Sequence, residues 1–221
     1  MNYLLVAAIL LSSGFRVNAE QAQENDLSSL KKQFIQQIST DSDIEEGPFS
    51  FNYEFRTVFF SNAVISLFGE LTVHDRLPHG WKQYEGKTLY KATDQWKEVS
   101  LEDIFPTPEN KEFLRSMCEK ILKKDPLSYF SGNTPLCETL KYEDIYTFVV
   151  DDQHLIIVFQ PYVVGSGADG PFVVKIPIDT LKRVWADSHM FCLQLSKSIE
   201  SRSFLSSWDL DKFYNDVAEV N

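Results

Sequence analysis

Two apolar, β-branched-rich runs, Ile145 to Val150 and Leu155 to Gln160, are separated only by Asp151-Asp152-Gln153-His154. Four polar residues between two such runs predict an antiparallel hairpin, and this is the strongest local signal in the chain. Downstream, Pro161 to Pro171 carries three glycines and two prolines, so it must be a shaped connection and not a regular element. Phe172 to Ile176 reads as the next strand, and Pro177 opens a helix expected to run to about Trp185.

Upstream, Gly47-Pro48 breaks the chain, and Phe49 to Phe60 is dense in aromatic and β-favouring residues, predicting a strand. A second strand, Ala63 to Thr72, follows the Ser61-Asn62 turn as an antiparallel partner. His74 to Gly86 is polar and punctuated by Pro78, Gly80 and Gly86, which predicts a loop, with extended chain resuming at Gly86. Ser100 to Phe105 forms a short amphipathic turn. Thr107-Pro108-Glu109 has the form of a helix start, the threonine capping, the proline in the first turn and the acid at the positive end of the dipole. Phe113, Leu114, Met117, Cys118, Ile121 and Leu122 continue it at helical spacing to about Lys124. Asp26 can cap a helix bearing Leu27, Leu30, Phe34 and Ile38 on one face, and Ser207 one running from Trp208 to Val220. Strands and helices come in blocks without βαβ alternation. The expected class is α+β: antiparallel sheet or sheets with helices packed on one face, as one core or two small subdomains.

The first residues carry a different message. Leu4 to Leu11 is an uncharged apolar run of eight residues, too short to span a bilayer and suited to the core of a signal peptide. Val17-Asn18-Ala19 places modest or small residues where a signal peptidase requires them, so cleavage after Ala19 is expected, giving a periplasmic or secreted protein. No later run reaches the length of a membrane helix. Arg16 is the single charged side chain within residues 1–19, so the mature chain would hold 20 basic against 32 acidic groups, a balance of −12. That balance disfavours nucleic acid and anionic lipid. It is compatible with a cationic partner, and equally with an acidity that serves only solubility.

Three cysteines, Cys118, Cys137 and Cys192, allow one bridge in an oxidising compartment, with Cys118 to Cys137 preferred; the alternative is that all are small buried apolar residues. His74 and His79 flank Asp75 but have no evident third partner, so no metal site is expected. His79 followed by Gly80 suits a loop in which a ring nitrogen bonds the backbone. Gly86-Lys87-Thr88 lacks the upstream glycine of a phosphate loop, position 81 being Trp. No hydrolase elbow, zincin helix or cofactor motif occurs, so no catalytic residue and no cofactor is assigned. The loop from Tyr162 to Pro171, with Gly165, Ser166, Gly167, Asp169 and Gly170, is a candidate ligand edge. Its glycines permit close backbone approach, and Tyr162 offers an apolar ring with a polar tip. A purely architectural crossover is the alternative.

Several segments, in order, resemble the RsiV-like family of extracytoplasmic domains, whose members include the outer domain of an anti-sigma factor and a domain attached to a peptidoglycan deacetylase. They are Ala63-Val64-Ile65-Ser66-Leu67, Pro78-His79-Gly80, Gly86-Lys87, Val99 to Phe105, the helix from Thr107, the hairpin, and Phe159-Gln160-Pro161-Tyr162-Val163-Val164-Gly165 with Ala168, Gly170-Pro171 and Ile176-Pro177. The likeness spans roughly residues 48 to 185. It departs where the family commonly has proline and an aromatic and this chain has Ser166 and Gly167, which removes bulk from the loop's rim. Neither a membrane helix nor a cytosolic half accompanies the resemblance, so transmembrane signalling by this chain alone is not expected.

The resemblance implies a noncatalytic α+β domain presenting loops around His79 and residues 162 to 171 to an extracytoplasmic ligand. A cationic protein such as lysozyme, or peptidoglycan, would be that ligand. The competing reading is a cell-wall glycan hydrolase or deacetylase built from dispersed carboxylates. The expected organisation is a signal peptide at 1–19, an N-terminal helix and linker at 20–47, the α+β domain at 48–189 and a helical extension at 190–221.

Overall fold

The computed structural model describes residues 27–29, 31–32, 50–74, 81–93, 95–131, 139–166, 171–182, 184–185, 189–201 and 204–206. The chain divides into two units, Met1–Pro48 and Phe49–Asn221. In the first, residues 27–29 and 31–32 are helical, where a helix was expected after Asp26. The expected leader, the linker to Gly47 and the expected helix at 208–220 lie outside the described residues.

The second unit is α+β and contains two antiparallel sheets. Strands β1 (Ser50–Ser61), β2 (Val64–His74), β3 (Trp81–Ala92), β4 (Gln95–Glu98) and β8 (Phe204–Ser206) form a sheet of order β4-β3-β2-β1-β8. Strands β5 (Phe148–Val150), β6 (His154–Phe159) and β7 (Phe172–Pro177) form the other, in sequence order. The turns follow local chemistry. Ser61 Oγ accepts the N–H groups of Ala63 and Val64 at 3.2 and 2.9 Å, closing the β1–β2 turn. Pairing of Ala92 with Gln95 leaves a two-residue connection in which Thr93 takes a φ of 59°, as primed hairpin turns require.

The short helix α1 (Leu101–Ile104) starts with a capping box: Ser100 Oγ accepts from Asp103 N, and Asp103 accepts from Ser100 N. Helix α2 (Pro108–Leu122) is capped as its sequence predicts, Thr107 Oγ1 accepting from Asn110 N at 3.2 Å. Its buried side chains Leu114, Cys118 and Leu122 share a core with Leu155, Ile157 and Phe159 of β6 and with Phe172, Val174 and Ile176 of β7. The other face of the small sheet, Val149, Ile156, Val158 and Val173, packs with Val58, Phe68 and Tyr84 of the large sheet. Both faces of β6 are therefore covered, which explains why it is apolar throughout instead of alternating.

Two details bring the sheets unusually close. Gly86, in the middle of β3, lies against the main chain of Phe148, so that a Cβ there would sit 2.0 Å from the Phe148 carbonyl oxygen. The amide of Val150 donates to Ser66 Oγ at 2.9 Å, and Ser66 in turn pairs with Thr88 Oγ1 at 2.9 Å. Edge strand β5 thus finds a hydrogen-bond partner on the face of the neighbouring sheet.

Three sequence expectations change. Residues 81–86, expected in a loop, belong to β3, because Gly86 serves close approach of the sheets and not a turn. The helix expected from Pro177 to Trp185 is a single turn, α3 (Ile178–Leu181). Asn110 Nδ2 of α2 captures the Val184 carbonyl at 2.9 Å, and Trp185 is buried in the core. Residues 190–201, expected as part of an extension beyond the domain, form helix α4 (Met190–Ser201), whose Phe191, Cys192 and Leu195 join the main core. Among the described residues, no helix is long and apolar enough to cross a membrane.

Candidate functional site

The end of the small sheet at Gln160 gathers the most distinctive chemistry. Gln160, nearly buried, turns its carboxamide onto Tyr84 of β3: Oε1 accepts the Tyr84 N–H at 2.9 Å, and Nε2 donates to the Tyr84 carbonyl at 2.5 Å and to Thr147 Oγ1 at 3.0 Å. The side chain imitates a paired strand residue and fixes where the following loop begins.

From that anchor the chain reverses through Gln160-Pro161-Tyr162-Val163, with Val163 N donating to the Gln160 carbonyl at 3.3 Å. Proline second and a positive φ third are what a type II turn requires, and the third position ordinarily falls to glycine or asparagine. Here it is Tyr162, with φ of 68° and a side chain that leaves the residue 73% exposed. An aromatic in the left-handed region, pointing into solvent, is conformationally expensive and has no packing to compensate for it.

The loop is pinned again on the far side. Val164 is fully buried; its carbonyl accepts from Tyr129 N at 2.8 Å and from Ser128 Oγ at 3.3 Å, while Ser128 and Gly165 form an antiparallel bridge. Gly165 is required here: the Phe172 ring lies where its Cβ would be, 2.0 Å from Cε2 and Cζ. Two further large apolar residues stand exposed beside these anchors, Tyr146 one residue before Thr147 and Leu127 one before Ser128, at 57% and 56% exposure. Partial burial, followed by the nearby Asp144 carboxylate, holds the Tyr146 phenol above its usual pKa, so it is neutral at physiological pH and both donates and accepts hydrogen bonds. Tyr162, Tyr146 and Leu127 are thus each exposed and each within two residues of a hydrogen-bonded anchor.

The described residues include Tyr162, Gly165 and Ser166 of the expected site. Tyr162 is exposed, Gly165 is a buried packing position and Ser166 is half-buried. His79, Gly80, Gly167, Asp169 and Gly170 lie outside the described residues. The ends of β2 and β3 that flank residues 75–80, paired as Val73 with Trp81, are three residues along β3 from Tyr84 and hence near the Gln160 anchor. Cys118 does not fulfil the expected bridge to Cys137: it is a free thiol on the inner face of α2, at 0% exposure, and burial pushes it up to about 12. Cys137 lies outside the described residues. Among the described residues no three His, Cys, Asp or Glu side chains are grouped so as to hold a metal ion. Sequence reasoning missed Tyr146, Leu127 and Gln160. The last leaves a trace, a lone amide closing an apolar strand.

Residues 102–179 match the model of a family described as a protein of unknown function, DUF3298. Two solved structures share the fold. One, a member of the DUF3298 family from Bacteroides fragilis, is 14% identical, with 84% of this chain and 73% of that chain covered and a TM-score of 0.52. The other, a DUF3298 family protein from Pseudomonas aeruginosa, is 13% identical, with 73% and 70% covered and a TM-score of 0.53. Curated proteins offer no match.

Proposed function

We propose that the chain is an exported, noncatalytic binding domain that takes an extracytoplasmic ligand, a lysozyme-like cationic protein or a cell-wall component, on the edge formed by Tyr162, Tyr146 and Leu127. The observation that carries this reading is Tyr162. A tyrosine held in a glycine-type conformation and turned into solvent, on a loop pinned at both ends, contributes nothing to the core and is available to a partner. The RsiV-like resemblance supports a domain of this kind, and the match over residues 102–179 is to a family of unknown function. The net charge of −11 favours encounter with a cationic protein. Export rests on the leader at residues 1–19.

The test uses the protein purified from the outer compartment, immobilised and challenged with lysozyme and, separately, with peptidoglycan sacculi at low ionic strength. Saturable retention of either is expected, weakened at least about tenfold by Tyr162→Gly, which removes the ring and relieves the backbone, so that the thermal midpoint stays or rises. Retention unchanged in Tyr162→Gly would reject this edge. Absence of lysozyme retention would reject the lysozyme version. N-terminal sequencing is expected to begin at Glu20; an intact Met1 in a cytosolic protein would reject export.

A further inference from the structure

At the opposite end of β6 from Tyr162, the β5–β6 turn meets α3 and α4 around an open groove of about 280 Å³. The turn is rigid. Asp151 Oδ1 accepts the N–H groups of Gln153 and His154 at 2.7 and 2.5 Å, and its Oδ2 faces His154 Nδ1 at 3.3 Å. Ile178 N donates to the Gln153 carbonyl at 2.8 Å, locking the turn to α3. Asp151 is thereby consumed by the turn, whereas the adjacent Asp152 faces the groove. Helix α4 supplies Ile199 and Glu200 from the other side.

The lining is apolar on one part and charged on another, with Gln153, His154 and Ser196 adding polar groups. Pro177, Ile178 and Ile199 give an apolar wall, and among the described residues Asp152, Asp179 and Glu200 give three carboxylates against one ammonium, Lys182. Lys182 is already paired with Asp179 at 2.8 Å. Asp152 makes no ion pair among the described residues, and the charge of Glu200 already acts on Lys182, though less than that of Asp179. A long aliphatic stem ending in a positive charge suits such a lining: methylenes cover the apolar wall while the head group reaches the carboxylates. An anion would be repelled, and a neutral apolar ligand would strip water from the carboxylates without replacing it.

We infer that this groove is a second contact site, which takes a lysine or arginine side chain of a basic protein segment. Between it and Tyr162 lies the whole of β6, His154–Phe159, about 17 Å at the usual rise per residue, so the two sites act independently. The net charge of −11 brings basic segments to the surface, and the groove gives them a defined seat.

Amide-resolved NMR titration of the full chain with Nα-acetyl-lysine methylamide, its arginine counterpart and its norleucine counterpart tests the inference. Expected are saturable shifts at Gln153, His154, Ile178 and Glu200 with the two cationic probes, reduced by added salt and weakened at least about fivefold in the double variant Asp152→Asn, Glu200→Gln. Tyr162→Gly should leave them unchanged. Glu200 is exposed and Asp152 half-buried, and an unaltered thermal midpoint of the double variant separates lost binding from lost fold. Equal binding of norleucine, shifts confined to other residues, or full binding by a folded double variant would each overturn it. Preferential filling of the groove by N-acetylglucosamine would do the same.

Discussion

Gln160 and Tyr84, 76 positions apart, exchange two hydrogen bonds between a side-chain amide and a main-chain N–H and C=O, joining the small sheet to the large one at the root of the Tyr162 turn. Gln160→Leu would take the Gln160 partner from the buried Tyr84 N–H, while Thr147 Oγ1 still donates to the Tyr84 carbonyl at 3.4 Å. A loss of about 1–3 kcal/mol is expected from urea unfolding, the cost of one buried polar group deprived of its partner. A loss below about 1 kcal/mol would mean that water replaces the amide.

Gly86 permits no Cβ. Gly86→Ala sets a methyl 2.0 Å from the Phe148 carbonyl oxygen, and main chain cannot yield as a side-chain tip can. A destabilisation of about 3 kcal/mol, at the upper end for overpacking, is expected in chemical denaturation. A near-neutral effect would show that the sheets can slide apart at this crossing.

The pattern of success at the sequence level follows from locality. The Thr107 cap, the Ser100 turn and the hairpin around Asp151 are set by neighbours within a few residues, so their signals survive in the sequence. Gly86 misleads because the partner that demands it, Phe148, is 62 positions away. The place of helix α4 in the core escapes notice because polar residues interrupt its apolar spacing: half-buried Gln194 donates from Nε2 to the Lys91 carbonyl at 2.5 Å, and buried Ser198 pairs with Ser61 at 3.0 Å. Of the site, Tyr162 could be nominated from its loop, but its positive φ is imposed by anchors at Gln160 and Val164 that the sequence does not connect.

Asp103 couples α1 to pH. The N–H of Ser100, donating to its carboxylate, holds it below the usual carboxylate range, so the stabilisation is complete above the unfolded value near 4 and is lost as pH falls through the lower folded value. Because the carboxylate is exposed and screened by solvent, Asp103→Ala should cost only about 0.5 kcal/mol at pH 7 and progressively less below about pH 4, as read from unfolding midpoints across that range. A cost that stays constant into strong acid would contradict the capping role.

Cys118, a free thiol inside the core with its pKa raised by burial, should resist alkylation in the native protein and react once denaturant exposes it. Mass spectrometry after timed iodoacetamide treatment checks this. Prompt native labelling at Cys118, or its recovery in a disulfide-linked peptide with Cys137, would contradict the packing of α2.

The double cover of β6 bears on how much chain is needed to make the domain. Residues 102–179, which match the family model, contain α2 and all of the small sheet but none of Val58, Phe68 and Tyr84, which shield Val149, Ile156 and Val158. Expressed by themselves those residues would present a bare, β-branched sheet face and stick to one another. The stretch that the family model matches is therefore shorter than the stretch that can fold.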